Sequence, residues 1–165
     1  MDLIILRHGE AGKSTTSAAR DAERSLTVSG REEVERAARG LGSLGVKPDY
    51  AVTSPLKRAR ETATIAVKEL KREGLLEVWE ELSPEAETAA LYRRLSKLKQ
   101  DSTVLLVGHE PYLSAMVGEL TAGTRDARIS LKKAGAAKVE VRSFGPRPSG
   151  ELRWLVTPRQ LKKLA

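Results

Sequence analysis

Two apolar runs of strand length each end on a histidine, and the chain has no other histidines. Leu3-Ile4-Ile5-Leu6 stops at Arg7-His8-Gly9-Glu10, and Thr103-Val104-Leu105-Leu106-Val107 stops at Gly108-His109. In both runs the apolar residues are consecutive rather than alternating, which is the pattern of a strand covered on both faces. Strands of that kind belong to parallel sheets with helices on either side, and such sheets collect their ligands at the carboxyl ends of the strands. Both imidazoles therefore fall where an α/β fold would build a site.

Between the two runs, strand and helix patterns alternate. Residues 10–25 are polar, without period and too long for a simple turn, so they read as a functional loop beside His8. Gly12-Lys13-Ser14 within it matches the end of a phosphate-binding G-x-x-x-x-G-K-[ST] loop, but that pattern needs glycine at position 7, which is Arg7. A helix is predicted over 30–44, with Val34, Ala37, Leu41 and Leu44 on one face and glycines at its end. A second strand follows over 49–53. Ser54 is the expected N-cap and Pro55 the expected first residue of the next helix, whose apolar stripe is Ala59, Ala63, Ala66 and Leu70. A third strand is predicted over 75–82, helices over 84–99 and about 111–122, late strands over 136–143 and 151–156, and a terminal helical turn within 158–165. The alternation implies an α/β fold: a three-layer α/β/α sandwich on a mostly parallel sheet. The late strands, with no helix between them, imply an antiparallel edge. With 165 residues and no repeat or linker, the simplest reading is one domain spanning 1–165.

Composition narrows the chemistry. There is no cysteine, hence no disulfide, no thiolate nucleophile and no zinc–cysteine site. No stretch approaches the roughly 20 apolar residues of a membrane-spanning helix, and the N-terminus lacks the form of a signal peptide. A cytoplasmic protein with no membrane partner is expected. The net charge of +7 is uneven: residues 128–165 carry ten Lys/Arg and two Asp/Glu, and the rest carries nineteen and twenty. The basic segment carries only two aromatic residues, Phe144 and Trp154, too few to interleave with its ten cations as a base-stacking track, so it reads as a solvated face and no nucleic-acid partner is expected.

If the strands are parallel, Arg7 and His8 at the end of the first, Arg58 in the first turn of the helix after the second, and His109 at the end of the fourth converge on one sheet edge. Two guanidinium groups, two imidazoles and helix N-termini bind anions, and phosphate is the natural candidate. Two histidines with Glu10 or Glu110 could instead ligate zinc or manganese, but the fixed charge of two arginines disfavours a cation. A neutral imidazole can attack phosphorus and carry the phosphoryl group covalently. Alignment and charge neutralisation, the main needs of phosphoryl transfer, could come from Arg7, Arg58 and His109.

The blocks LRHGE at 6–10, LTVSG at 26–30, SPLKRARETA at 54–63 and VGHEP at 107–111 resemble, in order and spacing, the signature blocks of the histidine phosphatase superfamily, the phosphoglycerate mutase-like group. The short length, Arg24-Ser25-Leu26-Thr27 and the stretch from Trp79 to Pro84 are similar to its small SixA-like phosphohistidine phosphatases. The resemblance implies His8 as the phosphorylated nucleophile, with Arg7, Arg58 and His109 as phosphoryl ligands. It makes Glu81, with Glu80 beside it, the candidate proton donor and Arg24 a substrate-binding candidate. No metal or other cofactor is implied. The chain departs from the mutases at Ser14, where they carry asparagine, and at Glu110, where they usually carry glycine. It also lacks the length for their substrate-capping insertions. The expected substrate is phosphohistidine on a signalling protein. A small-molecule phosphatase of the same superfamily is the nearest alternative, and a non-catalytic anion- or phosphoprotein-binding module is the alternative of another class.

Overall fold

The computed structural model describes residues 1–14 and 16–165; Thr15, within the 10–25 stretch, lies outside the described residues. Six strands form one sheet in the order β3-β2-β4-β1-β5-β6. They are β1 (Asp2–Arg7), β2 (Tyr50–Thr53), β3 (Leu76–Val78), β4 (Thr103–Gly108), β5 (Ala136–Ser143) and β6 (Ser149–Val156). The first four run parallel, and β5 joins β1 antiparallel and pairs with β6 as a hairpin. Helices α1 (Ala18–Ala22), α2 (Val28–Ser43), α3 (Lys57–Glu69), α4 (Thr88–Leu95), α5 (Tyr112–Ala122) and α6 (Pro158–Leu164) complete the fold. This is the α/β sandwich with an antiparallel edge that the alternation implied.

The central strands explain the three layers. Leu3 and Ile5 of β1, with Val104 and Leu106 of β4, face a core shared with Leu91 and Leu95 of α4 and Leu113, Met116 and Val117 of α5. Ile4, Leu6, Leu105 and Val107 face the other way, onto Val34 and Leu41 of α2, Ala59, Ala63 and Ala66 of α3, and Leu161 of α6. Successive strand side chains point to opposite faces. A run of consecutive apolar residues is therefore what two buried faces require.

Local signals place the helices with some corrections. Thr27 caps α2, its Oγ1 accepting the Gly30 N–H at 3.0 Å, so the helix starts two residues before the predicted 30. Ser54 is not the cap of α3. That helix begins at Lys57 after Leu56, with no side-chain cap; Ser54 lies three residues before it, with its hydroxyl 2.7 Å from Nε2 of His109. Residues 10–25 are not all loop, since α1 lies within them, capped by Ser17. The third strand is only three residues long. Its ladder ends as the Trp79 N–H donates to the Thr53 carbonyl, and Glu80–Leu82 turn into a single 3₁₀ turn. Helix α4 is half its predicted length, because turn bonds at Ser83–Ala86 and Leu95–Leu98 occupy both ends of the 84–99 stretch. The terminal turn is a real helix: Thr157 and Gln160 form a reciprocal capping box and Pro158 opens it. It docks so closely on α2 that a Cβ at Gly40 would lie 2.2 Å from the Leu161 carbonyl oxygen.

Candidate active site

The register brings the site to one level. Arg7 pairs with Gly108 and Thr53 with Val107. The His8 N–H continues the ladder to the Gly108 carbonyl, and the Ser54 N–H to that of Val107, both at 3.0 Å. His8, Ser54 and His109 therefore leave the sheet side by side, and the two imidazole centroids are 5.0 Å apart at 52°. They open onto a cavity of about 480 Å³ that Arg7, Arg24, Arg58 and Lys133 also line. All four residues singled out around the two histidines, and Arg24, are thus brought together. Another cavity, of about 660 Å³, lies between α4 and the β5–β6 loop; its described lining has no imidazole or buried arginine, so it lacks the groups singled out from the sequence.

Each site side chain is held from behind. His8, 7% exposed, has Nδ1 2.7 Å from the Gly9 carbonyl oxygen. A carbonyl can only accept, so Nδ1 carries the proton and the neutral ring keeps its lone pair on Nε2. Burial lowers the His8 pKa to about 4; the Gly9 bond opposes the shift, and Arg58, Arg7 and Arg24 add to it. The next peptide is tied to α3, since the Gly9 N–H donates to Thr62 Oγ1, whose own hydroxyl donates to the Arg58 carbonyl. A side chain at position 9 would not fit: its Cβ would lie 2.5 Å from Val34 Cγ2.

His109 is 2% exposed and its pKa is lowered to about 3, by burial first, then by the charges of His8, Arg58, Arg24 and Arg7. Ser54 Oγ accepts the Leu56 N–H at 3.3 Å and can in addition donate its own proton to His109 Nε2. With the hydroxyl as donor the imidazole proton is on Nδ1, which is buried and has no hydrogen-bond partner among the described residues. Arg7 donates from Nη1 to the Leu131 carbonyl at 2.8 Å. Arg58 donates from Nη1 to the Asp21 carbonyl at 2.9 Å, and its Nη2 lies 3.2 Å from Asp21 Oδ2. Arg7 Nε and Arg58 Nε are buried without partners as well. All three belong to residues that line the cavity, so an oxyanion that reached them would satisfy donors the described residues leave unpaired.

Asp21 was not singled out from the sequence. It sits on α1, where its Oδ1 is also 2.7 Å from Arg24 Nε. Partial burial would raise its pKa, but the bond from Arg24 and the charge of Arg58 outweigh that and hold it below the usual carboxylate value. Ser54 and Thr62 were missed too. Their signal was only adjacency to Arg58, and a serine or threonine near a helix start is more often a cap.

Glu81 is not brought to the cavity. Its Oε2 accepts from Arg94 Nη1 at 2.9 Å, and its carbonyl accepts the Tyr112 hydroxyl. Arg94 in turn lies 4.0 Å over the Trp79 ring. The carboxylates that do line the cavity are Asp21, Glu85 and Glu110, and one Glu110 oxygen accepts the Ser114 N–H of α5. Among the described residues no three His, Asp or Glu side chains come together as a metal-binding group.

Known proteins are similar to this chain in sequence and fold. The family profile described as Histidine phosphatase superfamily (branch 1) matches residues 3–85, which contain Arg7, His8 and Arg58. An uncharacterized protein of Picosynechococcus sp. is 34% identical over 138 residues, 82% of each chain. The chain belongs to the histidine phosphatase superfamily. Its fold is that of the superfamily's SixA-like members: the protein histidine phosphatase SixA, solved with tungstate, superposes with a TM-score of 0.85 over 98% of this chain and 99% of that one, at 27% identity. A 2,3-bisphosphoglycerate-dependent phosphoglycerate mutase of Methylorubrum extorquens is 36% identical over 102 residues, 60% of this chain but only 45% of the mutase. The protein is a phosphatase of this superfamily, acting on phosphorylated substrates.

Proposed function

We propose that the protein is a phosphohistidine phosphatase that works through a covalent intermediate on His8, its partner a histidine-phosphorylated signalling protein of the cytoplasm. The observation that carries the nucleophile is the bond from His8 Nδ1 to the Gly9 carbonyl, which leaves Nε2 unprotonated and facing the cavity. The Nε2 lone pair attacks phosphorus and the bond to the leaving group breaks. A water then attacks the phosphorylated imidazole and releases inorganic phosphate, returning His8 to its neutral form. Arg7 and Arg58 neutralise the phosphoryl oxygens, and His109 donates from Nδ1 to one of them. These charges are fixed before the reaction begins, so they cost no reorganisation during it.

Two observations support a phosphoramidate over an ester. A phosphoramidate nitrogen is basic and arrives protonated, so it needs little acid help, and the side chain of Glu81 is turned to Arg94. The SixA structure, whose name is that of a protein histidine phosphatase, holds the oxyanion tungstate. As the proposed acid, Glu81 would exchange Arg94 for the leaving group. Glu81→Gln should then cost more on alkyl phosphates than on phosphoramidates, and equal losses would deny it that role. The cavity is also large enough for a small metabolite, which favours a small-molecule phosphatase as the second reading. A panel comparing a phosphohistidine protein, phosphoramidate, sugar phosphates and phosphoglycerates by kcat/KM separates the two. The phosphohistidine protein should lead, and a sugar phosphate or phosphoglycerate ahead of it would overturn the first reading.

A further inference from the structure

Lys133 reaches the cavity by an unusual route. It is carried by the turn Lys132–Gly135, which is fastened to the end of β1: the Ala134 N–H approaches the Arg7 and His8 carbonyls, both at 3.2 Å, and the Arg7 N–H donates to the Gly135 carbonyl. The Gly135 N–H closes the turn on the Lys132 carbonyl at 2.8 Å. Ala134 takes φ of +55°, in the left-handed region that an alanine rarely adopts. The fold thus maintains a strained residue next to the nucleophile, and the side chain presented to the cavity from that turn is Lys133.

Under the proposed function the phosphoryl group has its donors without the lysine. Arg7, Arg58 and His109 already supply donors at the cavity base, and the cavity far exceeds the space one phosphoryl group fills. Arg24 is tied to Asp21 and to the Gly12 carbonyl. Glu110 is tied to α5, and Glu85 is exposed on the rim. The Lys133 ammonium has one carboxylate partner, Glu10 Oε1 at 3.5 Å, in a pair whose side chains are 46% and 50% exposed. Such a solvated pair is worth little and exchanges readily for another carboxylate.

We propose that Lys133 makes the pocket read a second anionic group on the substrate, a carboxylate borne by the leaving group, which takes the place of Glu10. The carboxylate is either an acidic residue flanking a phosphohistidine or the acid group of a small phosphorylated metabolite. This rests on the phosphatase reading of the pocket but not on which bond is broken.

The test uses benzylphosphonates, which bind a phosphoryl site and cannot be hydrolysed. The carboxy and carbamoyl forms differ in one charge, and both would be measured by calorimetry as ortho, meta and para isomers. Wild type should bind at least one carboxy isomer about fivefold more tightly than its carbamoyl counterpart, the range of an exposed ion pair. Lys133→Gln should reduce that ratio to about one and Lys133→Glu should invert it, with each variant's folding checked by its melting temperature. Lys132→Gln removes the same charge one residue away and should keep the preference. No preference in wild type, a ratio unchanged in Lys133→Gln, or an equal loss in Lys132→Gln would overturn the proposal. Because binding is read, an enzyme inactive on every phosphate would sink the catalytic reading while leaving this one measurable. Phosphohistidine peptides flanked by Glu or Gln then identify the source. A Lys133-dependent preference in turnover of the peptides points to a protein substrate, and one confined to the small phosphonates points to a metabolite.

Discussion

Arg58 reaches the cavity at 5% exposure with its guanidinium held by Asp21 on a five-residue helix. A buried cation whose one carboxylate partner among the described residues lies on so short an element depends on that partner for its position. Arg58→Ala should lower kcat/KM on a generic aryl phosphate by on the order of 10²–10⁴, by the scale of other electrostatic clamps. His8→Ala should abolish turnover, and retained hydrolysis would remove His8 as the nucleophile. Asp21→Asn keeps the shape but loses the charge that orients Arg58 and Arg24, so an intermediate loss is expected. The pH profile tests the imidazole separately. As the proposed nucleophile His8 has to be neutral to attack, and burial lowers its pKa to about 4. After correction for the substrate's own ionisation, the acid limb should fall near pH 4, and a limb near the ordinary histidine value of 6.5 would contradict the desolvated site.

At the scale of elements, the strand ends are fixed by pairs that sequence spacing cannot supply. The Gly9 N–H bond to Thr62 joins the end of β1 to α3, and the Leu26 N–H bond to Glu61 joins the start of α2 to the same helix. The terminal helix depends on a close approach instead. At Gly40 the nearest atom to an added Cβ is a backbone oxygen of α6, which cannot rotate away as a side chain can. Gly40→Ala should therefore cost about 1–3 kcal/mol by overpacking, read as a lower midpoint in denaturant, and α6 should lose hydrogen-exchange protection before the sheet does. A variant as stable as wild type would show that α6 shifts freely. The apolar period located α2 and α3 because each buries one face against the sheet. It overran β3 and α4 because turn bonds, which leave no periodic trace, end those elements early.

For the whole molecule, both buried imidazoles link stability to pH. Their folded pKa values, about 4 and about 3, lie below the ordinary 6.5, so between roughly pH 4 and 6.5 the unfolded chain binds more protons than the folded one. Stability must then fall as pH is lowered through that window, with a slope approaching about 1.4 kcal/mol per pH unit for each histidine. Urea midpoints from pH 7 to 4 check this, and His109→Gln should flatten part of the slope. The same scale explains the basic segment. Lys138 pairs with Asp2 and Lys133 with Glu10, so acids from the first strand region meet bases from the last 38 residues across the β1–β5 edge. Among the described residues no helix is long and apolar enough to cross a membrane. What the chain wrote locally, it determined alone: two doubly buried strands, each ending on a histidine, and an arginine in the first turn of α3. Strand burial and helix periodicity are properties of neighbouring residues, so they are legible in order. Tertiary structure alone decided that Ser54 serves His109 rather than α3, that Asp21 holds Arg58, that Glu81 turns to Arg94 and that Lys133 faces the cavity. The first three are contacts between side chains separated in the chain and the fourth follows from the Lys132–Gly135 turn docking on β1, and a polar side chain goes to whichever partner the finished packing leaves within reach.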